Sequence, residues 1–216
     1  MSRNIIPGTR PTRIELLKIR RRIMVAEKGH ELLQEKLDTM VMEFFRLRDR
    51  RDGLRKEAED AFATAYPPLL RAGMVMGRRG LEDALSLTAP AGEVAMLTGM
   101  VMGAAVPSIV IPDPLRSADE PGYPLAVPSS HLDEAYRECE KAVRAALVLA
   151  ELEGSLVRLA DQIAATRRRV NALANILLPS LYDTAAYIEA YLEEMEREDI
   201  FRRKRAKGRR SGGLIP

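Results

Sequence analysis

Tryptophan is absent from this 216-residue sequence, aromatic residues make up only 5% of it, and there are one cysteine, Cys139, and two histidines, His30 and His131. Each shortage removes a class of protein. Without aromatic anchors, a thick globular core has few large side chains to build from. A single cysteine excludes an internal disulfide framework and fits a reducing compartment. The two histidines have no cysteine or second histidine at ligand spacing, so no metal pattern exists. No Gly-Lys dipeptide occurs, which excludes a Walker phosphate loop. Cys139 occupies an alanine-like helix position with no base beside it in the pattern. The carboxylates fall on solvated helix faces. The opening "MSRNIIPGTRP" lacks the apolar run of a secretory signal. No catalytic residue, cofactor site or metal site is therefore expected.

Long hydrophobic runs are scarce too. Only 94–112, "VAMLTGMVMGAAVPSIVIP", is long and uncharged enough to invite a membrane reading. Thr98, Gly99, Gly103, Pro107 and Ser108 interrupt it, and strands joined by a turn near Gly99 or Gly103 fit better. Met74, Met76, Met96, Met100 and Met102 cluster in this middle part of the chain. They read either as hairpin core or, for Met96, Met100 and Met102, as an adaptable partner-facing surface.

Charge, by contrast, is plentiful: 30% of residues carry it, with a net charge of +3. Alanine, leucine, glutamate and arginine dominate both ends, the composition of long helices. Thr12, with Glu15 three residues on, reads as the capping box of a helix. From there apolar positions step by three and four through Leu16, Ile19, Ile23, Ala26, Leu33, Leu37, Met40, Phe44, Leu47, Leu54, Ala58 and Ala61. Only His30 and Arg51 depart from the pattern, the a/d spacing of a left-handed coiled-coil seam. A second series begins after Ser130, read as the N-cap. It runs Leu132, Ala135, Cys139, Ala142, Ala146, Leu149, Glu153, Leu156, Ala160, Ile163, Arg167, Val170, Ala174, Leu177, Leu181, Thr184, Ile188, Tyr191 and Met195. Pro179 lies inside this series and should kink the helix without ending it, because the register resumes at Leu181.

Tyr66-Pro67-Pro68 reads as the end of the first helix, 81–87 as a short helix, and Pro107, Pro112, Pro114, Pro121, Pro124 and Pro128 as an irregular connection. The expected fold is mainly α. A long antiparallel two-helix left-handed coiled coil carries a small middle head with a short helix and a β-hairpin. Its parts are a first helix over 12–64, a head over 65–129, a second helix over 130–205 and a basic flexible tail over 206–216. At about 1.5 Å per residue the helices span about 75 and about 110 Å.

Arg20, Arg21 and Arg22 stand near a helix N-terminus, where positive charge opposes the macrodipole. If Leu16 faces Met195, facing indices sum to about 211, and these arginines meet Glu193, Glu194, Glu196, Glu198 and Asp199. Arg202, Arg203, Lys204, Arg205, Lys207, Arg209 and Arg210 follow without any acid.

Three blocks carry a resemblance: "PTRIELLKIRRRI" (11–23), "KGHELLQEKLDTMVMEF" (28–44) and "RRRVNALANILLPSLYDTAAYIEAYLEEMEREDIFRRKRAK" (167–207). They resemble the D subunit of the V-type and archaeal A-type rotary ATPases. The resemblance implies a non-catalytic central rotor shaft on the cytoplasmic side, peripheral to the membrane. Both terminal helices would enter the hexamer of catalytic A and B subunits. The middle would face the F subunit and a funnel-shaped subunit above the membrane ion-translocating ring. Arg10, Arg13, Arg202, Arg203, Lys204, Arg205 and Lys207 would face the hexamer. Two rivals read the same features otherwise. A nucleic-acid-binding coiled coil would grip phosphates with its basic ends, but the tails lack interleaved aromatics and a recognition motif. A membrane-tethering rod would use 94–112.

Overall fold

The computed structural model describes residues 6–88, 92–112, 115 and 129–211, with side chains described to 207. Helix α1 spans Arg13–Ser86, strands β1 and β2 span Ala95–Val101 and Ala104–Val110, and helix α2 spans Ser130–Ala172. A π-helical turn, Leu173–Leu177, joins α2 to α3, Leu178–Ser211. The Pro114, Pro121, Pro124 and Pro128 connection lies outside the described residues. Contacts divide the chain into two units, Met1–Leu37 with Ala164–Pro216, and Asp38–Ile163.

In the first unit α1 starts as its sequence indicates, though only half of the capping box forms. The Glu15 N–H donates to Thr12 Oγ1 at 3.3 Å, while the Glu15 carboxylate accepts from Lys18 at 3.1 Å. Ile19, Ile23 and Ala26 pack against Leu181, Ala185 and Ile188 as one buried cluster, with Leu16, Leu178 and Leu192 against it. Burying such side chains stabilises by roughly 1.5–3 kcal/mol each. The pairing is antiparallel, as expected. Thr184 is fully buried, and its hydroxyl is satisfied twice. It donates to the Ser180 carbonyl at 2.6 Å and accepts the Ile6 N–H at 3.1 Å.

The π turn shapes this seam. Its closing bond runs from the Leu178 N–H to the Leu173 carbonyl, one residue longer than an α-helical bond. The extra residue sits just before Pro179, which has no N–H to donate. It also moves the seam by one position. Leu178 packs on the core cluster, whereas Leu177, expected in the seam, is 41% exposed.

Upstream of that turn the expected second seam holds at Leu132, Ala135, Ala142, Leu156 and Val170 and slips by one residue at three other positions. Glu153, Ala160 and Arg167 are exposed, and the buried positions are Leu152, Ser155, Leu156, Leu159, Thr166 and Val170. Rotation by one residue keeps two charges in water, where their hydration is retained. The helix begins at Ser130 with Leu132 and Asp133 N–H groups donating to the Ser129 carbonyl, so the cap is Ser129 and not Ser130.

In the second unit α1 does not stop at Tyr66-Pro67-Pro68. It continues through both prolines, because Ala65, Pro68 and Ala72 are buried and extend the three-four spacing from Ala58. The break is at Gly77, whose φ of 73° and ψ of 163° are non-helical. Beyond it the last turns fold back. Ala84 joins Ala72 and Leu132 in a buried cluster, with Met76, Leu81 and Tyr136 against it, and the Thr88 hydroxyl hydrogen-bonds the Tyr136 hydroxyl.

The 94–112 run forms the expected antiparallel hairpin. Met102 and Gly103, with φ of 51° and 77°, make its two-residue turn, the twist-matched type I′ geometry. Pro107 lies opposite Thr98. Counting from the bonded pair beside the turn, this is a pair that exchanges no hydrogen bonds, so the missing proline N–H costs the ladder nothing. The outer edge of β2 rests on α2. The Ile109 N–H donates to Glu151 Oε2 at 3.1 Å, and a Cβ on Gly154 would stand 2.8 Å from Pro107 Cγ. Ala104 buries with Met40 and Leu159.

Gly154→Ala is therefore expected to split two effects. The helix gains up to about 1 kcal/mol of propensity, while the hairpin is pushed off α2. Hydrogen exchange at the Ile109 amide should quicken about tenfold or more, equivalent to about 1.4 kcal/mol. Unchanged protection there would contradict this packing.

Candidate functional site

Among the described residues no group of histidine, cysteine and carboxylates could hold a metal ion. Burial pushes the Cys139 thiol above its ordinary range, with Glu138 adding to the effect, so it is a poor nucleophile. His30 is half-buried on α1, and His131 stands 4.0 Å from Glu134 at the start of α2. Two exposed surfaces stand out among the described residues.

The first surface is the charged end of the paired helices. Arg13 Nη2 meets Glu196 Oε1 at 2.5 Å, and Arg20 Nη2 meets Glu189 Oε1 at 2.7 Å. The Tyr182 hydroxyl donates to Glu27. That bond, with a smaller desolvation effect, holds the phenol above its ordinary pKa. Facing indices thus sum to 209, two fewer than the expected 211. The shift corrects the arginine pairing: Arg20 takes Glu189, and Arg13 reaches the acidic run. Glu193 and Glu194 are occupied by Arg197, and Glu198 by Arg202, all along α3 itself. The expected facing of Leu16 and Met195 fails because Met195 is 42% exposed.

Past Glu196, the partner of the first α1 residue, α3 continues to Ser211. Every residue over 197–207 is exposed, including Ile200 at 53% and Phe201 at 67%. Arg203, Lys204 and Arg205 have no acidic partner among the described residues, while Lys207 does make a polar contact. The stretch expected as a flexible tail from 206 keeps a helical backbone to Ser211. Arg10 is exposed in the segment before α1. Over 197–207 this helix is therefore exposed, basic and spotted with the apolar Ile200 and Phe201.

The second surface is the hairpin. Met96, Met100 and Met102 are 74%, 79% and 47% exposed, and Met74 on α1 is 83% exposed. The hairpin-core reading is thereby corrected, since Ala104 and Val106 fill that core instead.

Of the other seam residues, Leu37, Met40, Leu156, Val170, Leu181 and Ile188 are buried, and Leu33, Phe44, Leu47, Leu54 and Ile163 half-buried. Sequence reasoning missed a second working face of α2. On it Glu140 accepts the Leu115 N–H at 3.0 Å, Arg144 donates to the Pro112 carbonyl at 3.3 Å, and Glu151 accepts from Ile109. Their spacing, with Gly154, was the available signal: positions 140, 144, 151 and 154 share one helix face.

Comparison with known proteins gives this geometry a family. The family model for the ATP synthase D subunit matches residues 15–208. The D subunit of the Pyrococcus horikoshii A-type ATP synthase is 42% identical over 198 residues, 92% of each chain. That of Thermococcus kodakarensis is 42% identical over 200 residues, 93% of this chain and 94% of the relative. The Methanopyrus kandleri protein of the same name is 41% identical over 211 residues, 96% and 89% of the two chains.

Proposed function

Since the chain belongs to the D-subunit family of ATP synthases, we propose that it is the non-catalytic central shaft of a V/A-type ATP synthase. It transmits rotation between the catalytic A/B hexamer and the membrane ring that carries protons or sodium ions. The observation that carries this reading is the α3 end: packed on α1 through the Ile19–Ile188 cluster and paired with it as far as Arg13–Glu196, then continuing past it as an exposed, basic, apolar-spotted helix. About 15 residues of helix reach about 22 Å beyond that last pair, enough to seat an end inside a sleeve of other subunits.

The reading has a physical mechanism. A shaft with different side chains on each face presents a different surface to each catalytic site of a threefold ring. Shaft angle then biases nucleotide affinity, and nucleotide state biases shaft angle by the same coupling free energy. Such a shaft works best with diffuse attraction, because strong ion pairs at one angle would hold it there. Arg10, Arg13, Arg202, Arg203, Lys204, Arg205 and Lys207 supply that attraction, and their effect weakens with salt. The chain sits on the cytoplasmic side, peripheral to the membrane. No helix among the described residues is long and apolar enough to cross a membrane. The head side, toward the ring, contacts the F subunit and a funnel-shaped coupling subunit, with Met96, Met100 and Met102 as contact residues. Nucleic acid is not a partner.

Alanine at Arg202, Arg203, Lys204, Arg205 and Lys207 together tests the charge argument. Hexamer association should weaken about tenfold or more at low salt, with the difference fading at high salt. Assembled complexes should still turn over ATP. Loss of all turnover from a single one of these changes would contradict diffuse guidance.

A further inference from the structure

The hairpin has two edges, and among the described residues only one is protected. The β2 edge carries Pro107 and is covered by α2 through Glu151 and Gly154. The β1 edge faces the other way, and among the described residues it has neither proline, charge nor cover. In the register of the hairpin, Val101, Gly99, Leu97 and Ala95 spend their backbone groups on β2. The N–H and C=O groups of Met96, Thr98 and Met100 therefore point outward. Side chains along this edge are exposed as well, Met96 and Met100 most of all. An uncharged edge of this kind is a template for another strand.

Its sequence says which strand. Around Thr98, "MLTGM" is symmetric in its outward residues: Met96 and Met100 stand two places to either side. We infer that two free copies of this chain pair through β1, antiparallel, about a two-fold axis at Thr98. In that register Thr98 opposes Thr98 of the second copy, and Met96 opposes Met100. Outward backbone groups then find partners in about six hydrogen bonds. Leu97 opposes Gly99, large against absent, so the crowded non-hydrogen-bonded pairs do not clash. The result is a four-stranded sheet in place of two exposed two-stranded ribbons. A closed isologous contact of this type stops at two copies. The covered area is well below the ~1,200–2,000 Å² of stable interfaces, so the pair is weak and dissociates on dilution. This inference concerns the free chain and stands independently of the shaft role.

The test uses the full chain. Sedimentation velocity should find dimer at about 100 µM and monomer at about 1 µM. Thr98→Lys places like charges on the axis and should leave the chain monomeric throughout. Thr98→Pro removes one outward N–H that the hairpin ladder does not use, and should weaken pairing with the circular dichroism spectrum unchanged. In a Cys139→Ala background, Thr98→Cys should form an intermolecular disulfide on mild oxidation, since opposed Cα atoms about 5.5 Å apart are within reach. Met74→Cys, also at an exposed position, should not. A wild-type chain that stays monomeric at about 100 µM overturns the inference and leaves this edge to a strand of a different protein. A dimer that survives Thr98→Lys, or cross-links equally at Met74, overturns it by placing the contact elsewhere.

Discussion

Ile188→Ala is expected to lower the stability of the paired helix ends by about 2–5 kcal/mol, the cost of emptying a site that cannot collapse. Ile188 is fully buried and sits in one cluster with Ile19, Ile23, Ala26, Leu181 and Ala185. Ala26 and Ala185 are too short to refill the space, and Ile19, Ile23 and Leu181 are themselves held in the same buried cluster, so the cavity is filled only in part. Ion pairs cannot make good the loss. Arg13–Glu196 and Arg20–Glu189 are largely exposed, and such pairs contribute only about 0–1 kcal/mol. Urea unfolding followed by circular dichroism, compared with Ile200→Ala, separates these cases. Ile200 is 53% exposed and its replacement should change stability by less than about 0.5 kcal/mol. Equal effects at the two sites would contradict the assigned seam.

Gly77→Ala is the second large effect, expected to cost about 1–3 kcal/mol through the backbone alone. At φ 73° and ψ 163° the chain occupies a region that only glycine enters readily. No atom crowds the missing Cβ, so the cost is conformational and not steric packing. The chain has a ready alternative, a straight α-helix through position 77, which alanine favours by up to about 1 kcal/mol over glycine. Straightening would carry Ala84 and Leu81 away from Ala72 and Leu132 and break the Thr88–Tyr136 hydrogen bond. Hydrogen exchange over 78–88 should therefore lose protection while the helix before Gly77 keeps it. Retained protection over 78–88 would show that the fold-back does not depend on this glycine.

How much of this was legible follows from particular residues. The α1 seam could be read directly, because leucine, isoleucine and alanine recur without a charged substitute from Leu16 to Met40. Its extent could not, because Pro67-Pro68 looks like a stop. The overlooked signal was that Ala65, Pro68 and Ala72 keep the seam spacing, so burial offsets the lost hydrogen bonds. In α2 the alanine-rich pattern fits more than one phase. Glu153 and Arg167 were the sign that those positions leave the seam, since a seam rarely buries two unpartnered charges. Nothing in the sequence announces a π turn, yet it is what returns the phase to Leu181 and Ile188. The hairpin was legible from its glycines, and its turn at Met102-Gly103 falls at the second of the two expected positions. Which side of it would be covered was not, because that depends on Gly154 and Glu151, remote in sequence. The contact surfaces followed only in outline: the basic end from composition, the exposed methionines only from burial.

The central claim of the proposed function is that this chain turns inside a ring of catalytic subunits. The most direct test fixes the A/B hexamer to a surface and places a bead on the shaft. The attachment point is a cysteine replacing Met74, which is 83% exposed, in a Cys139→Ala background. With ATP present, the account predicts unidirectional rotation of the bead with three pauses in each turn. ATP hydrolysis by the same complex beneath a bead that does not rotate would contradict it.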